Sequence, residues 1–295
     1  MGMHMATKVI DRKSGQIFEE KIFGEKFVRW AHETSLGLWL TSSAAIQKLT
    51  SKVYGAYASS FLSKHEISKF IEDHKIQMSD FVTPEGGFKN FNEFFSRRLA
   101  PGARSFLVSD AEVISPAEGR VFYASIVDRK SSLVIKGHAY DVGDLIGEKD
   151  IGDLGHAYVV RLCPVDYHRY HFAVSGTVLS AKDLGGKLFS VNPIALEQRH
   201  NIFWENYRKV YKVQTSHGIC YQAEVGAICV GSMTETKAPG DHFVRGEEKG
   251  TFLFGGSTCL LLLPKSFVPD ADIVKNSQGG YETLVRVGDT LGAFH

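Results

Sequence analysis

Charge of one sign is not in excess here: 34 basic side chains stand against 33 acidic ones over 295 residues, a net charge of +1. A nucleic-acid binder normally carries a clear basic surplus, so that class is set aside. Cysteine is scarce. Cys163, Cys220, Cys229 and Cys259 form no Cys-x-x-Cys pair and show no metal-ligand spacing. That argues against a disulfide framework and for small buried side chains in a reducing compartment. Long apolar runs are missing too. The longest, Cys259 to Leu263, falls far short of the ~20 residues that cross a bilayer, and the first residues lack the apolar stretch of a signal peptide. The chain is therefore expected not to span a membrane, with lying on one left open. Low-complexity tracts and internal repeats are also lacking.

The length permits one or two domains around a large core. From about Gly24 to Asp73 the spacing predicts helix: Phe27, Val28, Trp30 and Ala31, then Leu36, Leu38, Trp39 and Leu40, then Ile46, Leu49, Val53, Tyr54 and Tyr57. This stretch reads either as a bundle packed on the rest of the protein or as an interfacial surface. In the second case Trp, Phe and Leu face lipid while Arg29, Lys48 and Lys52 meet head groups. Two of the three tryptophans fall within ten residues of each other here, which adds weight to the interfacial reading.

Thr83-Pro84-Glu85-Gly86-Gly87 is a breaker cluster and marks the seam between a helical, membrane-associating region (1–85) and a body (86–295). From about Val113 onward, short β-branched and aromatic runs such as Leu133-Val134-Ile135 and Tyr158-Val159-Val160 alternate with Gly-containing turns. Only Pro193 to Arg208 reads as an intervening helix. The expected fold class is α+β, an N-terminal helical segment packed on a mostly antiparallel β body.

Four segments concentrate reactive groups. Ser115-Pro116-Ala117-Glu118-Gly119 places an acid inside a tight turn, where a solvated side chain is the ordinary outcome. Asp166-Tyr167-His168-Arg169-Tyr170-His171 packs proton-transfer and anion-binding groups among aromatics. No third ligand accompanies the two histidines, so no metal site is expected. Gly186-Lys187-Leu188-Phe189-Ser190-Val191-Asn192 offers a hydroxyl and an amide in a turn. Phe254-Gly255-Gly256-Ser257-Thr258 sets two glycines before a serine, which leaves the Gly256 carbonyl open to the Ser257 hydroxyl.

Together these segments resemble one family, the phosphatidylserine decarboxylases. The likeness runs from about Phe88 to the C-terminus. It takes in Phe91-Asn92-Glu93-Phe94-Phe95-Ser96-Arg97-Arg98-Leu99, the Tyr-His-Arg-x-His segment, Leu-Phe-Ser-Val-Asn, Val225-Gly226-Ala227 leading to Val230-Gly231-Ser232, and Lys249-Gly250 through Phe254-Gly-Gly-Ser-Thr. The bacterial branch with a Gly-Gly-Ser-Thr cleavage motif is the most similar. The resemblance implies self-cleavage between Gly256 and Ser257, which turns Ser257 into a covalent pyruvoyl group.

A serine hydroxyl needs a base; by match to the family's triad that base is His171, oriented by Glu118. The pyruvoyl group would form a Schiff base with the substrate amine and act as electron sink during decarboxylation. His168 matches the histidine linked to decarboxylation, through carboxylate contact or protonation, and Ser190 matches a pocket residue that binds the polar head. The implied partners are phosphatidylserine, an anionic membrane surface on the cytoplasmic side met peripherally, and the cleaved fragment as second subunit; a homodimer is compatible with the same reading.

One departure stands out: the family turn reads Ser-Pro-x-Asp-Gly, and Glu118 replaces the aspartate. Two other readings fit the same residues. A soluble pyruvoyl amino-acid decarboxylase is disfavoured by the Trp30/Trp39 region, since a soluble substrate requires no lipid-docking face. A non-processing homologue that holds phosphatidylserine without turnover is kept open by Glu118.

Overall fold

The computed structural model describes residues 8–20, 44–106, 109–127, 132–135, 138–189, 202–226, 233–253 and 257–295. Trp30, Trp39 and Arg29 lie outside these residues. The first described segment is a hairpin, β1 (Lys8–Asp11) and β2 (Ile17–Glu19). Two helices follow, α1 (Ala44–Ala58) and α2 (His65–His74), joined through a 3-10 turn at Phe61–Lys64.

The short helix α3 (Phe91–Phe95) shows why its sequence reads Asn-Phe-Asn-Glu-Phe-Phe. Asn90 Oδ1 accepts the Glu93 N–H at 2.9 Å, and Glu93 Oε2 accepts the Lys89 N–H at 2.5 Å. This reciprocal cap satisfies two donors at the helix start. Phe91, Phe94 and Phe95 bury against Ala58, Ile67, Phe70 and Phe88, each contributing about 2–3 kcal/mol. The same short helix thus fastens α1 and α2 to the body.

The body is built from sixteen further described strands. They begin with β3 (Glu112–Ile114), β4 (Gly119–Val127), β5 (Ser132–Ile135) and β6 (His138–Asp141), with helix α4 (Val142–Ile146) after them. Next come β7 (Leu154–Leu162), β8 (Arg169–His171) and β9 (Gly176–Leu184), then helix α5 (Ile202–Glu205). After these run β10 (Arg208–Thr215), β11 (Gly218–Gly226), β12 (Met233–Glu235), β13 (His242–Phe243) and β14 (Glu248–Phe252). Last are β15 (Ser257–Pro264), β16 (Phe267–Pro269), helix α6 (Ala271–Gln278), β17 (Glu282–Val285) and β18 (Thr290–Phe294).

The large sheet has the order β13-β9-β10-β11-β15-β7-β4-β17-β1-β2, with β5 and β6 attached at β4. Two smaller sheets, β12-β14-β8 and β16-β18-β3, complete it. The described pairs are antiparallel except β1 with β17, so the α+β, mostly antiparallel expectation holds.

The longest apolar run of the sequence is the central strand. Every residue of β15 is buried, because both faces are covered. Cys259, Leu261 and Leu263 meet one core with Tyr158, Val160, Tyr211 and Phe252, while Leu260 and Leu262 meet a second with Val159, Tyr221 and Val225. Alternate residues of a strand point to opposite faces, so a two-sided core needs a continuous apolar run. Among the described residues no helix is long and apolar enough to cross a membrane.

The helix expected over Pro193 to Arg208 is corrected in its described part: it ends at Glu205, and Arg208 already opens β10. Asn206 is the reason. Its fully buried amide accepts the Phe189 N–H and donates to the Phe189 and Gly226 carbonyls, each at 2.8 Å. Those bonds turn the chain into the sheet.

Candidate active site at the head of strand β15

Ser257 opens β15 between two strands, opposite Leu162 of β7 and Gly226 of β11. It is fully buried, and its hydroxyl has no hydrogen-bond partner among the described residues. An unpaired buried hydroxyl costs on the order of 1–3 kcal/mol, and the neighbouring Thr258 hydroxyl is in the same state. Phe252, at the end of β14, donates its N–H to the His168 carbonyl at 2.9 Å. Both ends of the connection that carries the expected scissile bond therefore rest on one stretch, Leu162 to His168. Gly256 and Ser190 lie outside the described residues. Phe189, just before Ser190, and Gly226, opposite Ser257, are tied together by Asn206.

The two histidines differ in what their ring nitrogens meet. His171 Nδ1 lies 2.8 Å from the Gly246 carbonyl and Nε2 lies 3.1 Å from the Tyr167 hydroxyl. A carbonyl only accepts, so the hydrogen sits on Nδ1, and the Nε2 lone pair accepts from Tyr167. Burial lowers the pKa of this ring. His168 is fully buried with its ring centroid 3.8 Å from that of Phe95. Its Nδ1 donates to the Asp166 carbonyl at 3.0 Å, and Nε2 has no partner among the described residues. Burial, reinforced by the nearby positive charges of Arg97 and Arg120, lowers its pKa to about 3. His168 is thus a neutral ring with an open lone pair.

Glu118 does not hold His171 in this structure, which corrects the expected pairing. Its carboxylate accepts from Arg104 Nε at 3.0 Å and from a terminal Arg104 nitrogen at 2.9 Å, and Arg104 reaches on to Asp80 at 2.9 Å. The turn instead supports His171 through the backbone, with the His171 N–H donating to the Pro116 carbonyl at 2.7 Å. Burial raises the Glu118 pKa against the pull of Arg104. Gly119 follows because a Cβ there would run into the Arg161 carbonyl oxygen.

Two buried ionic clusters flank the site, and the sequence reading named neither. In the first, a β-bulge in β14 between Glu248 and Gly250 leaves Lys249 out of the ladder. A bulge re-aims the extra side chain. Lys249 becomes fully buried, 3.6 Å over the Tyr211 ring, and pairs with Glu224 and, at 3.1 Å, with Glu235. Gly250 beside it is required because a Cβ would meet the Thr234 carbonyl and the Tyr170 hydroxyl. In the second, Arg161 of β7 pairs with Glu20 and Glu282, and Arg120 pairs with Glu20 and Asp166. The Lys249-Gly250 motif was visible in the sequence, but the partners are brought together only by strand register.

The family profile described as "Phosphatidylserine decarboxylase" matches residues 91–293, more than half of the chain. The chain is 38% identical over 292 residues to a Clostridium novyi (strain NT) protein named "Phosphatidylserine decarboxylase proenzyme", covering 97% of this chain and 98% of that one. A protein of the same name from Clostridium perfringens (strain SM101 / Type A) is 38% identical over 291 residues, covering 97% and 99%. Another, from Clostridium kluyveri, is 37% identical over 291 residues, covering 97% and 98%. The chain belongs to the phosphatidylserine decarboxylase family.

Proposed function

We propose that this chain is the precursor of a pyruvoyl-dependent phosphatidylserine decarboxylase that matures by cleaving itself between Gly256 and Ser257. The observation that carries the reading is the buried Ser257 hydroxyl at the head of β15, which has no hydrogen-bond partner among the described residues, in a chain of this family.

Maturation needs only the chain's own groups and water. Ser257 Oγ attacks the Gly256 carbonyl carbon and its proton passes to His171 Nε2. Breaking the peptide C–N bond then moves the acyl group from nitrogen to oxygen. Loss of the Ser257 α-proton expels the Gly256 carboxylate and leaves dehydroalanine; water adds and ammonia departs, leaving a pyruvoyl end on the 257–295 fragment. The Gly246 carbonyl, rather than a carboxylate, keeps the hydrogen on Nδ1 and so presents Nε2 as base. Tyr167 must release that nitrogen first.

The buried Ser257 side chain, whose hydroxyl has no partner among the described residues, is where the carbonyl group would be made, its own oxygen leaving with the Gly256 carboxylate. When formed, the pyruvoyl carbonyl supplies a sink for the electron pair left as carbon dioxide departs. His168 is assigned to the return of a proton to the substrate carbon once carbon dioxide has left, its open Nε2 carrying that proton only transiently. Ser190 hydrogen-bonds the polar head, from a segment whose start is held by Asn206.

Peripheral attachment to the cytoplasmic face of the cell membrane belongs to the same proposal, and contact with lipid is supported by the surface of α1 and the turn after it. Leu49, Val53, Phe61 and Leu62 are all strongly exposed, and Lys52 and Lys64 stand beside them. Apolar side chains rimmed by lysines suit an anionic bilayer surface. The experiment is carbon dioxide release from vesicles containing phosphatidylserine, compared with free serine and free aromatic amino acids. Release from the vesicles is expected; release from free amino acids alone overturns the lipid assignment.

A further inference from the structure

The Phe91-to-Leu99 motif carries no role in the chemistry above, yet three of its consecutive residues grip the segment that holds His168. The Phe95 ring lies against the His168 ring, with centroids 3.8 Å apart and planes inclined by 35°. The Ser96 carbonyl accepts from Arg169 Nε at 2.9 Å. Arg97 donates from one terminal nitrogen to the Val165 carbonyl at 2.9 Å and to the Asp166 carbonyl at 3.2 Å. The Asp166 carbonyl is the same atom that accepts from His168 Nδ1. Arg97 itself is 2% exposed and sandwiched between the Phe81 and Phe94 rings, 4.3 and 4.8 Å from their centroids.

A guanidinium buried this deeply is costly unless something requires its charge or its fork. Its direct partners are backbone carbonyls and two ring faces, and the Glu118 and Asp166 carboxylates, both taken by other arginines, offset its burial only through space. Two charged groups act on the His168 ring, Arg97 from the chain after α3 and Arg120 from β4, the latter paired with the Asp166 carboxylate. Both cations oppose protonation of the ring.

We propose that Arg97, with Phe95, forms a positioning pair for His168: it holds the carbonyl that fixes the hydrogen on Nδ1, and its charge keeps the Nε2 lone pair free. Neither residue touches the reacting atoms; both act through the histidine. The inference rests on the decarboxylase role given to His168 above.

The test compares Arg97→Met, Arg97→Lys and Phe95→Leu with the parent chain. Cleavage is followed on a gel, kcat and KM with phosphatidylserine vesicles, and the His168 ring by nitrogen NMR in a Ser257→Ala background. All three variants should cleave at close to the parental rate. Arg97→Met should lower kcat by about tenfold to a hundredfold with KM little changed, and should move the acid limb of the kcat profile, and the NMR titration of His168, to higher pH. Arg97→Lys keeps the charge and loses the fork, so it should lose kcat while keeping the pH at which His168 titrates. Phe95→Leu should also lose kcat.

If Arg97→Met does not fold, the lysine and leucine variants and the NMR titration still decide. Unchanged kcat in both of those variants overturns the proposal, and so does a parallel loss of cleavage and turnover. The NMR titration is read on an inactive precursor, so its outcome is independent of whether the parent decarboxylates at all; a parent that never releases carbon dioxide counts against the proposed function instead.

Discussion

Glu118→Gln separates a triad acid from a residue that braces a turn. In the structure the Glu118 carboxylate is bonded to Arg104 and makes no hydrogen bond to His171. The substitution removes the charge but keeps an amide oxygen that accepts one bond from Arg104, and Arg104 retains Asp80 at 2.9 Å. Arg104 is therefore not orphaned. The stability loss should be about 1–2 kcal/mol, close to one weakened charge-assisted hydrogen bond. Orphaning a buried charge would instead cost about 3–5 kcal/mol.

The kinetic contrast is wider. Loss of a triad acid slows its reaction by roughly four orders of magnitude; bracing through the backbone of Pro116 predicts a slowing of about tenfold or less, in line with a small misplacement. A time course of the split on a denaturing gel, with urea melts of the uncleaved Ser257→Ala forms, measures both quantities. A drop of several thousandfold in cleavage with little change in stability would refute the reasoning and return Glu118 to His171 in the reacting state.

Three other outcomes follow from the same geometry. His171→Ala should block cleavage, while His168→Ala should cleave and decarboxylate poorly; loss of cleavage in His168→Ala alone would make His168 the maturation base. The His168 pKa is lowered by burial from 6.5 to about 3, so between those values the unfolded chain binds the proton and the folded one does not. Stability is then lost as pH falls below the unfolded value, by roughly 1.5 kcal/mol between pH 6.5 and 5 from this ring; in the Ser257→Ala background, His168→Gln should lose that much less, and equal acid sensitivity would contradict it. Replacing Leu49, Val53, Phe61 and Leu62 by serine together, or Trp30 and Trp39 by alanine, should weaken sedimentation with anionic vesicles, since each apolar side chain that enters the bilayer contributes on the order of 2 kcal/mol. Unchanged sedimentation would mean that these residues do not meet lipid.

The parts of the fold legible in the sequence were those set by local pattern. The helical spacing around Leu49 and Val53 reports α1, and the alternating short runs report an antiparallel body. The five-residue apolar run was legible as too short for a membrane, but its place as the two-faced central strand depends on neighbours far along the chain. At the site, the sequence singled out Ser257, His168 and His171 by residue type and order. It could not show that the Gly246 carbonyl and Tyr167 would occupy His171, since Gly246 is seventy-five positions away. Nor could it show that Arg104 would claim Glu118, because that pair depends on side-chain reach across a turn. Lys249 illustrates the same limit: only a bulge in β14 turns a charged residue of a strand into the core.

Intact mass of the purified protein, with and without Ser257→Ala, tests the central claim most directly. The account predicts that the parent separates into a fragment ending at Gly256 and a fragment 257–295 whose first residue has lost its amine and carries a ketone, while Ser257→Ala stays a single full-length chain. A parent that remains intact under conditions where it is folded, or a Ser257→Ala chain that still splits at 256/257, would contradict it.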